Sequence, residues 1–581
     1  MDVRLKRIYE VHLSDAAGGS DVRYVLAKSV GWGWLGYHAL VAGEKLANFI
    51  PPALGLRDGV LYTEWIPKRE LPQVVAQDRE SLIESLASYV AARTRDLSFG
   101  NNPTPDLANE GRHKGFEILA NSLSRAYNSR MVAALKRSRI QRQLSHQNCS
   151  ASVMTDSKMS PGEWIFADSR LMKTDFEHHC QGKNELGMTD PAYDLADAIF
   201  QFELSDEESG HLIRSYAKQS GDVNVEERVF LNKLLAGMWG QNLATLGLQN
   251  SGLLSRRSEF HRQYVSAWNF MVRETIRECG KLCRRPREVR WSTPLVVTDI
   301  DGVLDRMVFG FPSTTAAGIK AVSLLHSHGF AIAVNTARTL QEVKQYCRSY
   351  GFVGGVAEYG GIVWDAVSDQ ELALVSPESL RQLEEVRNAL QRIPGVFLND
   401  DYRYSLRAFT YQNGGTIPLP HLLIQDLLAG LKADRLQVHH TGLDTAILAK
   451  ETNKGTGLLS LLAFVGVPTA ETLAIGDSEP DLAMFRVAHR CFAPGNISCR
   501  REARLLRCHI ADLPYQPGLL QIARKITHPH GGTCNECRAV EAIRHNGNSL
   551  FVSLLSAADQ KPRSLLLRNL IDPSVLAIFR K

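Results

Sequence analysis

The sequence contains no uninterrupted apolar run approaching the about 18–20 residues of a membrane span, so no transmembrane helix is expected. Its opening, "MDVRLKRIYEVHLSD", lacks the apolar h-region of a secretory signal. Cysteine is sparse. Ten residues in 581, mostly isolated, argue against a disulfide framework and make a reducing cytoplasm the expected compartment. No Gly-x-x-x-x-Gly-Lys-Ser/Thr loop is present, which excludes one common backbone cradle for nucleotide phosphates. Internal repeats and low-complexity tracts are missing too. Neither sign of charge dominates: 67 Lys and Arg against 62 Asp and Glu leave +5, too little at this length to imply a nucleic-acid or membrane partner.

What is present is ordinary globular material, 44% hydrophobic and 22% charged. At roughly 100–200 residues per domain, the chain has room for about three or four domains. Residues 1 to about 70 alternate strand-like and turn-like segments, and residues 75–280 are mostly helical by pattern. The basic stretch "KLCRRPREVRW" (281–291), which contains Pro286, reads as a linker. A second block, 292–525, alternates apolar strands with amphipathic helices, and a tail, 526–581, follows. That βαβ rhythm predicts a parallel doubly wound sheet with ligands beyond the C-terminal ends of its strands.

Within the second block, "LVVTDIDGVLD" (295–305) runs an apolar strand directly into Asp299 and Asp301. Like charges so close disfavour joint ionisation unless a cation or proton intervenes. Other predicted strand ends and helix starts carry Thr336 in "VNTAR", Lys454 in "ETNKGTG", and Asp477 and Asp481 in "AIGDSEPD". Converging at one sheet edge, these carboxylates would bind a hard cation such as Mg²⁺, while Lys and Thr would hold phosphate oxygens. A carboxylate there can attack phosphorus.

The ordered set "DIDGVL", "NTAR", "NKG" and "GDSEPDLAMF", spread over roughly 230 residues, resembles the haloacid dehalogenase superfamily. The resemblance implies Asp299 as nucleophile, Asp301 as general acid/base, Thr336 as phosphoryl ligand and Lys454 as the neutralising cation. It further implies Mg²⁺ held by Asp299, the backbone carbonyl of Asp301 and Asp477, with Asp481 in support. The acid two residues after the nucleophile is typical of the phosphatases and mutases of this superfamily. The segment of about 339–447 resembles a C2-type cap, as in capped sugar-phosphate phosphatases. Glu358 in "AEYGG", Asp401, Arg403, His439 and His440 are candidate specificity residues on that likeness. The implied fold is a Rossmannoid parallel sheet with an α+β cap, and the implied activity is hydrolysis of a small phosphorylated metabolite, a sugar phosphate in particular.

The first half reads differently. "RYVLAKSV" (23–30) is a strand with an inward Lys28, and "GYHALVAGEKLANFI" is an amphipathic helix carrying Glu44. Together with "LMKTDFEHH", which holds Asp175, and "TDPAYDLADAI", the order resembles the bilobal kinase-like fold of the aminoglycoside phosphotransferases, with a small lobe at about 1–70 and a helical lobe at about 75–280. That likeness implies ATP or GTP bound through Lys28, paired with Glu44, and through Asp156 and Asp175. The catalytic loop departs from the pattern: in "VMTDSKMSPGEWI" Met154 precedes Asp156 where a His is usual, Pro161 stands in the Asn position, and Glu163 is a substitute metal ligand at most. Four readings follow: a phosphatase; a kinase and phosphatase in one chain; a phosphatase regulated by a nucleotide-binding pseudokinase; and, ranked last because the Gly-x-x-x-x-Gly-Lys-Ser/Thr loop is missing and the net charge is modest, end repair of nucleic acids.

Two weaker signals remain. "RHKGFEILANSLSRAYNSRMVAALKRSRIQRQ" (112–143) is basic and reads as a solvated helix face or as a surface for an anionic partner such as nucleic acid. "HPHGGTCNEC" (528–537) gathers His528, His530, Cys534 and Cys537, a set able to complete tetrahedral Zn²⁺, with a redox pair or plain thiols as the alternatives.

Overall fold

The computed structural model describes residues 5–14, 20–67, 78–98, 153–167, 170–177, 190–308, 311–412, 415–541 and 550–559. The basic stretch at 112–143 lies outside the described residues. Among those described, residues up to Trp239 form one compact unit and residues from Gly240 a second. No helix among them is long and apolar enough to cross a membrane.

The first unit opens with four antiparallel strands, β1 (Lys6–Ser14), β2 (Ser20–Ser29), β3 (Ala53–Arg57) and β4 (Val60–Glu64), in the order β1-β2-β4-β3. The β3–β4 hairpin turns on Asp58-Gly59, both at positive φ (50° and 74°), the backbone that a tight two-residue turn requires and that Asp-Gly supplies. Helix α1 (Trp34–Lys45) packs on β3 and β4. Helix α2 (Arg79–Asp96) is capped by the Asp78 carboxylate, which accepts from the Ser81 N–H at 2.9 Å. A short ribbon of β5 (Trp164–Ala167) and β6 (Arg170–Lys173) follows, then α3 (Ala192–Gln201) and α4 (Asp206–Ser220). The last opens with a Ser205/Glu208 capping box and ends at left-handed Gly221. Helix α5 (Val225–Gln249) carries the chain onward into the second unit.

The first helix wholly within the second unit is α6 (Arg257–Leu282), and the unit starts at about 240 rather than at the expected 280. The reason is packing. Phe270, Met271 and Ile276 of α6 are buried, and Gly280 lies so close to Ser349 that an added Cβ would sit 2.4 Å from the Ser349 carbonyl oxygen. The core strands are β7 (Leu295–Thr298), β8 (Ala331–Asn335), β9 (Gly354–Ala357), β10 (Ile362–Asp365) and β11 (Gln370–Ala373). Three more lie beyond the cap: β17 (Thr472–Ile475), β18 (Arg490–Ala493) and β19 (His509–Ile510). They form an eight-stranded sheet in the order β11-β10-β9-β8-β7-β17-β18-β19. Strands β7, β8, β9, β17, β18 and β19 run parallel, while β10 and β11 are antiparallel additions. Leu295, Val296 and Val297 of β7 are fully buried, as a central strand covered on both faces demands.

Helices α7 (Ala316–Ser327) and α8 (Leu340–Tyr350) make the first crossovers. The cap therefore starts later than the expected 339, because α8 and "GGVAEYGGIVWDA" belong to the core layer and its sheet. It consists of α9 (Pro377–Gln391), β12 (Phe397–Leu398), β13 (Ser405–Gln412), β14 (Gly415–Pro418), α10 (His421–Gly430), β15 (Leu436–His440) and β16 (Thr445–Ala449). Its sheet runs β12-β13-β16-β15, with β14 also on β13, around its own core of Leu383, Val386, Leu406, Ile424 and Ile447. The core resumes with α11 (Lys454–Val465), α12 (Asp481–Phe485), α13 (Arg500–Leu505) and α14 (Tyr515–Thr527), and α15 (Asn535–Glu541) and α16 (Leu550–Ala558) extend it.

Candidate active site

The central strands bring the predicted residues to one edge by register alone. Thr298 pairs with Val334 on one side and with Ile475 on the other, so Asp299, Thr336 and Asp477 all lie one or two residues past the same row. The turn after Asp299 closes through Gly302 at φ 82°, where an added Cβ would sit 1.9 Å from Asp477 Oδ2. Only glycine lets these two acidic loops approach so closely.

Lys454, at the first position of α11 and 2% exposed, bridges the cluster. Its Nζ lies 2.7 Å from Asp299 Oδ2 and donates to Asp481 Oδ1 at 2.6 Å. Desolvation alone would lower this lysine, but Asp299 and Asp481 outweigh it and hold the ammonium charged, above its ordinary range. The second oxygen of Asp481 accepts from the Asp477 N–H, the Ser478 N–H and the Ser478 hydroxyl, at 2.8–2.9 Å. Asp481 thus has both oxygens committed and shapes the loop. Asp477 Oδ2 accepts from Asn496 Nδ2 at 2.7 Å, and the same amide reaches the Gly302 carbonyl at 3.1 Å.

Carboxylate oxygens of Asp299, Asp477 and Asp481 lie within 4.8 Å of one another. Burial, then the like charge of Asp481, pushes Asp477 up to about 7. Burial and the neighbouring Asp481 and Asp477 also raise Asp299, against the pull of Lys454. Three acids and one lysine leave an excess of buried negative charge that a divalent cation would neutralise. The donors are all oxygen, as a hard ion prefers, so the residues present fit Mg²⁺.

Asp301 sits differently. Its side chain is 54% exposed and takes a two-pronged ion pair from Arg338, Nε to Oδ2 at 2.9 Å and Nη2 to Oδ1 at 2.6 Å. Partial desolvation by the surrounding loops would raise its pKa, but the guanidinium prevails and holds the carboxyl below the usual range. Thr336 is fully buried, with its hydroxyl accepting from the Arg338 N–H at 3.3 Å. Arg338 lies in "NTAR", where the motif alone gives it no role. Its ion pair joins loops 37 residues apart, which no local spacing announces.

The cap candidates separate into those that face the core and those that do not. Glu358 is buried, and its oxygens accept from the N–H groups of Arg403 and Tyr404 and from the Ser405 hydroxyl. It clasps core to cap rather than presenting a carboxylate to a ligand. Arg403 contributes only its backbone to that clasp, and its side chain is exposed. Asp401 is exposed and accepts from Asn269 of α6 at 2.8 Å, away from the carboxylate cluster. His440 also departs from expectation. It pairs with Thr445 across the sheet, and its ring lies 3.8 Å from that of His421 on α10. Its neighbour His439 takes the opposite face, in register with Ala446 and Arg407, and stacks on Tyr359 of the core at 5.8 Å. Arg407, unnoticed in the sequence, is buried on that same face. It donates to Asp444 and to the Ala337 carbonyl, and lies 5.2 Å from the Tyr359 and Tyr402 rings.

In the first unit, Glu44 is exposed on α1 and does not pair with Lys28. Ala42, Gly43 and Leu46 turn inward on that helix, which leaves Glu44 on the outer face. Lys28 pairs instead with Asp175 and with the buried Glu177, a partner not foreseen. Asp156 is buried, accepts from the Tyr89 hydroxyl at 2.5 Å, and lies 3.4 Å from Lys173 Nζ and 3.6 Å from Arg93. Asp194 and Asp197 of "DPAYDLADA" accept from the N–H groups of Asp156, Ser157 and Met159 and so hold that loop. Glu163 pairs with Lys158.

The sequence profile of haloacid dehalogenase-like hydrolases matches residues 423–503. The phosphoglycolate phosphatase of Methanopyrus kandleri is 30% identical over 239 residues, 40% of this chain and 97% of that relative. The phosphoglycolate phosphatase of Methanospirillum hungatei is 24% identical over 249 residues, again 40% of this chain and 97% of the relative. Among solved structures, a haloacid dehalogenase-like hydrolase from Bacteroides thetaiotaomicron aligns with 14% identity and a TM-score of 0.33, covering 40% of this chain and all of that one. The chain belongs to the haloacid dehalogenase-like hydrolase family. It is a phosphoric monoester hydrolase.

Proposed function

We propose that the second unit is a Mg²⁺-dependent phosphatase of small phosphorylated metabolites that works through a phosphoaspartate at Asp299. The observation that carries this reading is the close trio Asp299, Asp477 and Asp481, with Lys454 bridging Asp299 and Asp481. Asp299 and Asp477, with the Asp301 carbonyl, would hold the ion, and when bound it supplies charge neutralisation beside the phosphoryl oxygens. An Asp299 oxygen attacks phosphorus as the P–O bond to the leaving group breaks, and the leaving oxygen takes a proton from Asp301. Water then attacks the phosphoaspartate, giving its proton to Asp301. Inorganic phosphate leaves, and Asp299 returns as carboxylate. Arg338 holds Asp301 ionised in the state seen, so Asp301 must release the guanidinium and take up a proton from solvent before it donates to the leaving oxygen. Thr336 and Lys454 bind the phosphoryl group.

Arg407 and His439 face the core from the cap sheet and are the groups placed to meet the rest of the substrate. A buried arginine favours a substrate with a second anionic or polar end, which fits both 2-phosphoglycolate, after which the relatives are named, and sugar phosphates. Phosphate release from a panel of both classes, with Mg²⁺ and after exhaustive chelation, tests the proposal. Turnover of either class that survives chelation would overturn the metal, and turnover of neither would overturn the substrate class.

A second reading concerns the first unit. Lys28, Asp175 and Glu177 form one ion-paired group, and "DPAYDLADA" holds the Asp156 loop. This supports a kinase-like unit that binds ATP or GTP, whether for phosphoryl transfer or for regulation of the phosphatase. Calorimetry of the full chain with either nucleotide and Mg²⁺, repeated on Asp175→Ala, tests it. Absence of binding by the folded wild type would remove the reading. A cytoplasmic location remains part of the proposal.

A further inference from the structure

We propose that the C-terminal extension carries one structural Zn²⁺ held by Cys534, Cys537, His528 and His328. This replaces the sequence expectation, in which His530 was the fourth ligand. One donor atom from each of the four lies within 4.8 Å of all the others, and the group is one of two such clusters among the described residues. His530 is exposed and outside it.

The geometry is that of a tetrahedral site. Zn–S of about 2.3 Å and Zn–N of about 2.0–2.1 Å place two sulfurs about 3.8 Å apart and a sulfur and a nitrogen about 3.5 Å apart. The Cys534 and Cys537 sulfurs are 3.7 Å apart. His328 Nε2 lies 3.3 Å from Cys534 Sγ and 3.8 Å from Cys537 Sγ, and His528 Nε2 lies 3.0 Å from Cys537 Sγ. The two sulfurs are too far apart for a disulfide, which needs about 2.05 Å.

A second observation is independent of spacing. His328 Nδ1 is 2.8 Å from the Leu324 carbonyl, which can only accept, so the proton sits on Nδ1 and the Nε2 lone pair is aimed at the thiols. A backbone carbonyl that fixes the ring and its tautomer in this way is the usual support of a metal-binding histidine. Two sulfurs and two imidazoles select Zn²⁺ over the hard ion of the active site. Four protein donors close the tetrahedron, so the site has no open position for chemistry.

The consequence lies in what the ligands join. His328 is the C-cap of α7, the crossover helix between β7 and β8, whereas the other three ligands belong to the extension. At the opposite end of α7, Asp559 accepts from the Thr315 hydroxyl at 2.5 Å and the Ala317 N–H at 2.8 Å, capping a helix whose N-cap residue, Thr315, makes no side-chain hydrogen bond to the helix's own backbone. The extension thus meets α7 at both ends, and the metal is the C-terminal fastening.

Elemental analysis of the full-length protein, purified without added metal, should find one zinc per chain. His328→Ala, 206 residues from Cys534 in sequence, should reduce it at least tenfold. His530→Ala should leave it unchanged. Because His328→Ala could also disturb α7, the wild type supplies a second measurement: after chelation, added Co²⁺ should give tetrahedral visible bands with thiolate charge-transfer absorption. Zinc near zero together with no such bands would overturn the site. Loss of zinc in His530→Ala with retention in His328→Ala would overturn the ligand set.

Discussion

Each unit of this chain buries a lysine among carboxylates, but the two clusters differ in what their oxygens are committed to. In the second unit, Lys454 serves two aspartates at 2.6 and 2.7 Å while Asp477 crowds the same space, leaving negative charge in excess. In the first, three cations face three acids in these ion pairs: Lys28 lies against Asp175 and Glu177, and Lys173 and Arg93 lie against Asp156. No cluster of three metal-ligating groups forms there among the described residues. The same residue types thus yield a site that calls for a divalent ion in one place and a largely self-neutralised core in the other. Counting acids near a lysine does not distinguish them; the direction of each oxygen does.

The comparison can be broken by substitution. Asp299→Asn should lower phosphatase kcat by on the order of 10³-fold or more, since the covalent route is lost, while Asp156→Asn should leave it unchanged. Steady-state phosphate release checks both. Lys454→Met should lower kcat by on the order of 10²–10³-fold, as loss of one preorganised charge at a reacting group does, and should weaken phosphate binding measured by product inhibition. Lys28→Met should instead act on stability. It removes the ammonium that pairs with Glu177, 1% exposed, and should cost the first unit about 3–5 kcal/mol in denaturant unfolding with phosphatase kcat intact. The smallest effect belongs to a surface pair. The Arg79 hydrogen bond lowers Glu208 from 4.5 to about 2. A folded pKa below the unfolded one means that this stabilisation is complete above about pH 4.5 and is lost as pH falls towards 2. Partial exposure limits it to about 0.5–1 kcal/mol, so the stability difference between wild type and Arg79→Gln should shrink by that amount between pH 6 and pH 2.5.

Much of the active site was legible because its residues sit in short motifs whose strand ends a parallel sheet must align. Asp299, Thr336, Lys454 and Asp477 needed only the βαβ order to be placed together. What escaped was settled by tertiary packing. Alternating apolar residues in "GGVAEYGGIVWDA" specify strands but not whether they join the core sheet or the cap, so the cap start was set too early. Period-2 alternation says that His439 and His440 face opposite ways, but not which way is inward. Glu44 was chosen for Lys28 by element order, yet the exposed face of α1 carries it outward. Nearness in sequence points to His530 beside Cys534 and Cys537, whereas the histidine clustered with them is His328, two hundred residues away at the end of α7. Arg338 and Arg407 act through partners that no spacing rule links to them.

The central claim is that Asp299 carries the phosphoryl group. Its most direct test is chemical trapping during turnover of 2-phosphoglycolate or p-nitrophenyl phosphate with Mg²⁺: rapid quench, borohydride reduction and peptide mass analysis. A phosphoaspartate at the nucleophile is reduced to homoserine, so the account predicts homoserine at position 299 and at no other acidic residue, dependent on substrate and on Mg²⁺. Efficient turnover with Asp299 unmodified, or modification at Asp301 or Asp477 instead, would contradict it.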